Sequence, residues 1–193
     1  MKKFELTNEF ITNMFGTKLF RIRALVEFGD VEAGELGGYV EKESNLGHDD
    51  NAWVYDNARV YGNARVYGDA QVSGDARVYG NARVYGNAWV YGNAWVYGNA
   101  WVYGNALVCS DEDYAYAHGF GSVNRTTTFF RLKDGGVGVR CGCFYGTLAQ
   151  FRDKIRETHG ETKKAQEYLM LADLMELRFE EDENEVGNRK YVE

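Results

Sequence analysis

Four arginines and a run of tyrosines in the middle of the chain recur at multiples of six residues, and they carry the chemistry the sequence offers most plainly. Arg59 and Arg77 are eighteen apart, as are Arg65 and Arg83; Tyr61 with Tyr79, and Tyr67 with Tyr85, keep the same interval. A guanidinium beside a phenol suits phosphate together with a stacked base or sugar. The same side chains are also good strand formers, and Arg over Tyr is an easily made cation–π contact, so a plain solvated wall is the competing reading.

Acid–base chemistry would fall to a histidine. His48 stands in GHDDN, where Asp49 and Asp50 could orient it, although a polar corner would look the same; His118 follows the repeats, and His159 sits at an expected helix end. Cys141 and Cys143 lie two apart in an expected strand, so they point the same way about 6 to 7 Å apart, poor geometry for a disulfide. With only distant histidines beside them they do not supply four convergent zinc ligands. No phosphate loop or hydrolase elbow is present. The sequence therefore implies neither a metal nor a cofactor.

What must position these groups is a repeat. From Asn51 to Ser110 the chain is ten consecutive hexapeptides of the form NAxVYG: NAWVYD, NARVYG, NARVYG, DAQVSG, DARVYG, NARVYG, NAWVYG, NAWVYG, NAWVYG and NALVCS. Alternation puts Ala and Val on one strand face and the variable residue and Tyr on the other. The Gly-Asn or Gly-Asp pair tolerates positive φ and makes a corner. The pattern extends backwards through Gly38 before Val40 and Ser44 before Leu46, with an insertion at His48 to Asp50, giving about twelve rungs.

A small residue two places before an aliphatic one, repeated every six, resembles the hexapeptide-repeat superfamily. The resemblance implies a left-handed parallel β-helix of triangular section with three blocks per coil, hence about four coils and a prism roughly 19 Å tall. Residues eighteen apart then stack. The first face carries Trp53, Gln71, Trp89 and Leu107 beside Tyr55, Ser73, Tyr91 and Cys109, without charge. The second carries Tyr39, Arg59, Arg77 and Trp95 beside Tyr61, Tyr79 and Tyr97; the third carries Arg65, Arg83 and Trp101 beside Tyr67, Tyr85 and Tyr103. Stacked like charges repel and welcome an anion, which makes both Arg/Tyr faces ligand-binding candidates. An uncharged aromatic strip calls for a cover, from the terminal segments or another copy. We expect a homo-oligomer through Trp53, Tyr55, Trp89, Tyr91 and Leu107, and the resemblance favours a trimer.

The open edges of such a prism need caps. Residues 1–37, with the strand-like LFRIRALVEFGD, form the expected N-terminal cap; 38–110 is the β-helix; 111–126 reads as an exit loop; 127–193 reads as a ββαα unit. In that unit a hairpin turns about Asp134 and Gly135, with Val137, Val139, Cys141 and Cys143 on one side. A capping box from Thr147 to Gln150 starts a helix closed by His159-Gly160, and a second helix follows over about 162–178. The fold class is thus mainly β, with a small α+β tail.

The formal net charge of -7 argues against nonspecific coating of nucleic acid. No apolar run approaches eighteen residues and MKKFELTNEF lacks a secretory core, so no membrane span and a cytoplasmic protein are expected. The segments FRIRALVEFGDVEAGELGGYVEKESNLGHDDNAWVYDNARVYGNA and CGCFYGTLAQFRDKIRETHG resemble parts of uncharacterised phage and prophage proteins labelled polymer-forming or putative transferase. That resemblance implies a genomic setting, hence a bacterial host cytoplasm, and brings no activity. The expected function is that of a non-enzymatic, oligomeric binding protein, with counter-defence, by sequestering a nucleotide-like anion or blocking a host protein, as one form of it. Two alternatives stand beside it. Hexapeptide-repeat acyltransferases use an interfacial histidine and coenzyme A, with His48 and His118 as candidates here, although neither matches a motif of that class. The other is a purely structural, self-assembling protein.

Overall fold

A computed structural model of the chain describes residues 2–180. The end of the expected C-terminal unit, residues 181–193, lies outside the described residues. The hexapeptides form a parallel β-solenoid in which each rung pairs with the rung eighteen residues away: Trp89 with Gln71 and Leu107, Arg77 with Arg59 and Trp95, Arg83 with Arg65 and Trp101. Every Ala and Val of the ten blocks is at 0 % exposure. Each Val contributes roughly 1.5–3 kcal/mol before chain entropy is subtracted, and the alanines let the three walls close on the axis. The corners need glycine. Gly68 has φ +73°, and a Cβ there would come within 2.9 Å of the Gly86 nitrogen one coil on.

Parallel stacking gives the prism a chemical polarity that dictates its caps. Rung N–H groups point toward the C-terminal end, as from Trp53 to the Ala70 carbonyl (3.1 Å), so the N-terminal edge presents carbonyls and the other edge presents N–H groups. The first edge is met by donors. Backbone N–H groups of Tyr39, Glu41 and Gly47 donate to Ala58, Val60 and Val66, the Asn45 amide donates to Gly62 (3.2 Å) and Ala64 (2.8 Å), and the Lys3 ammonium donates to Asp50 (2.6 Å) and Ala52 (2.8 Å). The far edge is met by acceptors. Trp95 N–H donates to the Asp111 carboxylate (2.6 Å), Trp101 N–H to the Thr128 hydroxyl (3.0 Å), and Cys109 and Ser110 N–H to the Asp113 carboxylate (2.9 and 3.0 Å).

The N-terminal strands Phe4–Thr12, Lys18–Ala24 and Leu36–Val40 extend the second face into a six-stranded sheet, the last of them joining Arg59–Val60 in parallel. The backward extension of the repeat holds at Gly38 and Val40 but shifts by one at the next rung. Ser44 is exposed in a 3-10 turn, and the buried Asn45 takes the inward place because its amide can satisfy two carbonyls. Asn45→Ala is expected to cost about 1–2 kcal/mol by stranding those acceptors, measured by urea unfolding. Asn45→Asp should do no better, since a carboxylate cannot donate to them.

The C-terminal unit differs from the expected ββαα. Tyr114–Phe120, anticipated as part of an exit loop, is a strand paired antiparallel with Arg125–Arg131, and the sheet runs on through Val137–Cys141 and Phe144–Thr147 to four strands. The six-residue period stops at Ser110, but Tyr114 still has an apolar place to fill, buried with its hydroxyl donating to the Trp95 carbonyl (2.6 Å). Strand geometry also ends earlier than expected at the cysteines. Gly142 turns with φ +59°, so Cys141 stays in the sheet while Cys143 is exposed, and the two do not share one strand face. Helices α1 (Leu148–His159) and α2 (Lys163–Phe179) start at Thr147 and Thr162, whose hydroxyls accept from Gln150 and Ala165. They enclose a second core of Phe129, Val139, Phe151, Tyr168 and Ala172.

Candidate functional site

The third face brings the candidate chemistry together. Arg65 and Arg83 stack in register on adjacent coils and both stand exposed. Beside them the corner amides form a ladder, Asn63 donating to Asn81 (3.2 Å) and Asn81 to Asn99 (3.1 Å). Lys42 and Asn45 of the N-terminal cap close one end. Lys42, Asn45, Asn63, Arg65, Asn81 and Arg83 line a groove of about 390 Å³ together with Ser44 and Ala64. No carboxylate is among the lining residues, and among the described residues neither Arg65 nor Arg83 makes an ion pair.

Tyrosines flank the arginine column as a stack. Tyr67 and Tyr85 lie 4.8 Å apart at 9°, Tyr103 follows at 4.3 Å, and Tyr145 closes the stack edge-on at 4.6 Å. Burial pushes the Tyr67 and Tyr85 phenols above their usual pKa against the opposing pull of Arg83 and Arg140, so both remain donors at neutral pH. Arg83 lies over Trp101 at 4.8 Å, and Arg140 from the C-terminal sheet approaches Trp101 and Tyr103 at 5.5 and 5.4 Å. Sequence reasoning found the Arg and Tyr columns. It missed Lys42, Asn45, Asn63, Asn81 and Arg140; the asparagines read only as corner residues, and nothing local marks Lys42 or Arg140.

The second face is more self-contained. Arg59 and Arg77 stack, Arg77 covers Trp95 at 4.6 Å, and Tyr61, Tyr79 and Tyr97 form a ladder with 5.1 and 5.4 Å spacings. Tyr39 is buried there, and Arg21 donates to its hydroxyl (3.1 Å).

On the first face the expected strip is largely covered by the chain itself. Trp53 has 0 % exposure, packed edge-on against Phe4 (6.2 Å) and Phe28 (5.4 Å), so it belongs to the interior and offers nothing to another copy. Tyr55 packs against the same core, and Tyr91 and Leu107 are half-buried. Trp89 remains 43 % exposed with the Lys133 ammonium over its ring at 4.2 Å.

The histidines are separated and engaged. His48 stacks on Phe4 (4.4 Å), its Nδ1 accepts the Lys3 N–H (3.2 Å), and burial holds its pKa below the usual value. It borders a smaller hollow of about 260 Å³ with Lys3, Phe28, Asp49 and Asp50. His118 is exposed on the edge strand with Nδ1 2.9 Å from the Thr126 hydroxyl, and His159 lies against Tyr168. Among the described residues, no group of three or more His, Cys, Asp or Glu could hold a metal ion, and no helix is long and apolar enough to cross a membrane.

Among known families, the one described as YdcK Beta solenoid repeat matches residues 52–68, 58–74, 70–86, 76–92, 82–98 and 88–104. The matches fall within the hexapeptide array, about a quarter of the chain, and this segment is similar to that repeat. A comparison with curated proteins finds no match.

Proposed function

We propose that this β-solenoid protein acts by binding, and that it holds a small phosphate-bearing ligand of nucleotide-like character on its third face. The supporting observation is the groove of about 390 Å³ lined by Lys42, Arg65 and Arg83, with the amides of Asn45, Asn63 and Asn81 and no carboxylate. Arginines stacked at coil spacing repel until an anion bridges them, and each charge-assisted hydrogen bond to such an anion contributes about 1.5–3 kcal/mol. The neighbouring Tyr67 and Tyr85 column offers a ring face and phenol donors to a base or sugar. Rung-on-rung rigidity fixes these groups before the ligand arrives, which lowers the ordering cost of binding. Sequestration of a nucleotide signal is the biological form this reading takes.

Thermal shift and calorimetry against cyclic nucleotides, with acyl-coenzyme A compounds as a second panel, test it. Stabilisation by a nucleotide is expected, and Arg65→Ala with Arg83→Ala should weaken binding at least tenfold per arginine while leaving the unfolding midpoint of the free protein nearly unchanged. Nucleotide binding that survives the double substitution would move the site elsewhere. No stabilisation by the nucleotide panel would remove the proposal, and an acyl-coenzyme A response alone would favour the transferase reading.

A further inference from the structure

Among the described residues, one face of α2 packs against neither core. In α2 the residues Ala165, Tyr168, Ala172, Met175 and Phe179 turn inward, while Met170, Leu174 and Leu177 turn outward with 71, 54 and 67 % exposure. Their spacing of four and three residues makes a single outer stripe. The turn at 120–124 extends it, because Gly121 N–H donates to the Glu167 carboxylate (2.8 Å) and Ser122 N–H to the Tyr168 hydroxyl (3.1 Å), holding this segment beside the first half of α2. Phe120 and Val123 there are 45 and 73 % exposed. Val123 adopts φ +51°, an unfavourable backbone for a β-branched residue, with its side chain in the open.

From this we infer that α2 is a self-association surface, and that two copies of the chain pair through antiparallel α2 helices about a two-fold axis. The charges on the helix select a second copy in that orientation. On the helical wheel Glu167 and Arg178 flank the stripe on the same side, about 20° apart and three turns separated; Glu167 accepts the Gly121 N–H and Arg178 donates to the Asp111 carbonyl (3.3 Å), and each keeps further acceptor or donor sites for a partner. In an antiparallel two-fold pair centred midway between them, each Glu167 faces the partner's Arg178, and the contact forms twice. The same level matching brings Leu177 opposite Tyr168, within reach of the partner's Phe120 and Val123 turn.

The stripe with its flanking turn is smaller than the roughly 800 Å² per partner of a standard stable interface, so the pair exchanges reversibly with single chains. The copy-to-copy contact therefore lies on the C-terminal unit and leaves the third-face groove open.

Sedimentation velocity on the full chain over a hundredfold concentration range reads this directly. The weight-average mass should rise from that of one chain toward that of two, and Leu174→Glu should hold it at one chain with unchanged circular dichroism and melting. Charge tests the orientation at Arg178: Arg178→Glu should weaken pairing at least tenfold, and Arg178→Lys should retain most of it. A single-chain mass throughout, or a dimer that persists in Leu174→Glu, would overturn the inference. So would an Arg178→Glu variant that pairs as tightly as the native chain. Vesicle binding by the native chain that Leu174→Glu abolishes, without any dimer, would assign the stripe to a lipid surface instead.

Discussion

Asp113→Ala is expected to lower the unfolding free energy by about 3–5 kcal/mol. Asp113 is 2 % exposed and its carboxylate does several things at once. One oxygen accepts from Cys109 N–H (2.9 Å), Ser110 N–H (3.0 Å), the Cys109 thiol (2.9 Å) and the Ser110 hydroxyl (3.3 Å), closing the last corner of the solenoid. The other lies 3.3 Å from Nε of Arg131, itself 8 % exposed and set over the Phe179 ring at 5.5 Å. Alanine would strand two part-buried N–H donors and leave a buried guanidinium without this counterion. Asp113→Asn retains an acceptor but loses the charge, and should fall between alanine and the native residue. Urea unfolding checks the order. Asp113 also joins the two cores, so the alanine variant should expose the C-terminal unit to protease before the solenoid. Equal protection of both units would show that Asp113 does not couple them.

The solenoid was legible because its information is periodic. Ten Ala and ten Val at fixed offsets leave one way to bury them all, and the sorting by eighteen matches the pairing of Arg59 with Arg77 and Arg65 with Arg83. Legibility ended where the period ended. Tyr114–Phe120 has the alternating pattern of an edge strand, but its partner lies across a turn at 121–124 that contains two non-glycine residues of positive φ, Val123 and Asn124, which no turn preference anticipates. Ser44 and Asn45 show the same limit at finer grain. Composition suggested the smaller residue for the inward place, whereas the carbonyl edge required a donor.

The candidate site was legible in half. A repeat announces which residues share a column, so the Arg and Tyr ladders could be assembled without coordinates. It says nothing about what non-repeating segments bring to a column. Lys42 reaches the third-face groove only because the cap ends there, and Arg140 reaches Tyr103 from a sheet whose strand count was itself unexpected. Trp53 failed for the same reason in reverse. Its position in the block is outward, as the repeat requires, yet Phe4 and Phe28 fold over it and make it core. The outward face of a solenoid is defined by its rungs, but its exposure is decided by its caps.

Lys3 shows how far that control extends and gives the protein a distinctive alkaline response. The residue is 3 % exposed, and its ammonium donates to the Asp50 and Ala52 carbonyls and lies 4.5 Å from the Phe28 ring centre. Burial lowers its pKa from 10.5 to about 8, with Asp50, Asp49 and Asp69 pulling the other way. Between those values the unfolded chain carries a proton that the folded chain has released, so stability rises with pH across this window. The gain from Lys3 is about 1–2 kcal/mol between about pH 7 and about pH 9.5. Lys133, lowered by burial, adds in the same sense. Above about pH 10 the sign reverses, because burial raises Tyr55, Tyr61, Tyr67, Tyr79, Tyr85 and Tyr114, and the folded state then holds protons the unfolded state loses. Lys3→Met should remove the Lys3 share of the alkaline rise. Because the neutral amine still donates to both carbonyls, the variant's deficit should grow from about 1–3 kcal/mol near neutral pH to about 3–5 kcal/mol near pH 9.5. Urea unfolding of both proteins at the two pH values reads that difference. A deficit that stays constant with pH would mean that Lys3 keeps its ordinary pKa in the folded chain, and that its role is confined to the two hydrogen bonds that close the carbonyl edge.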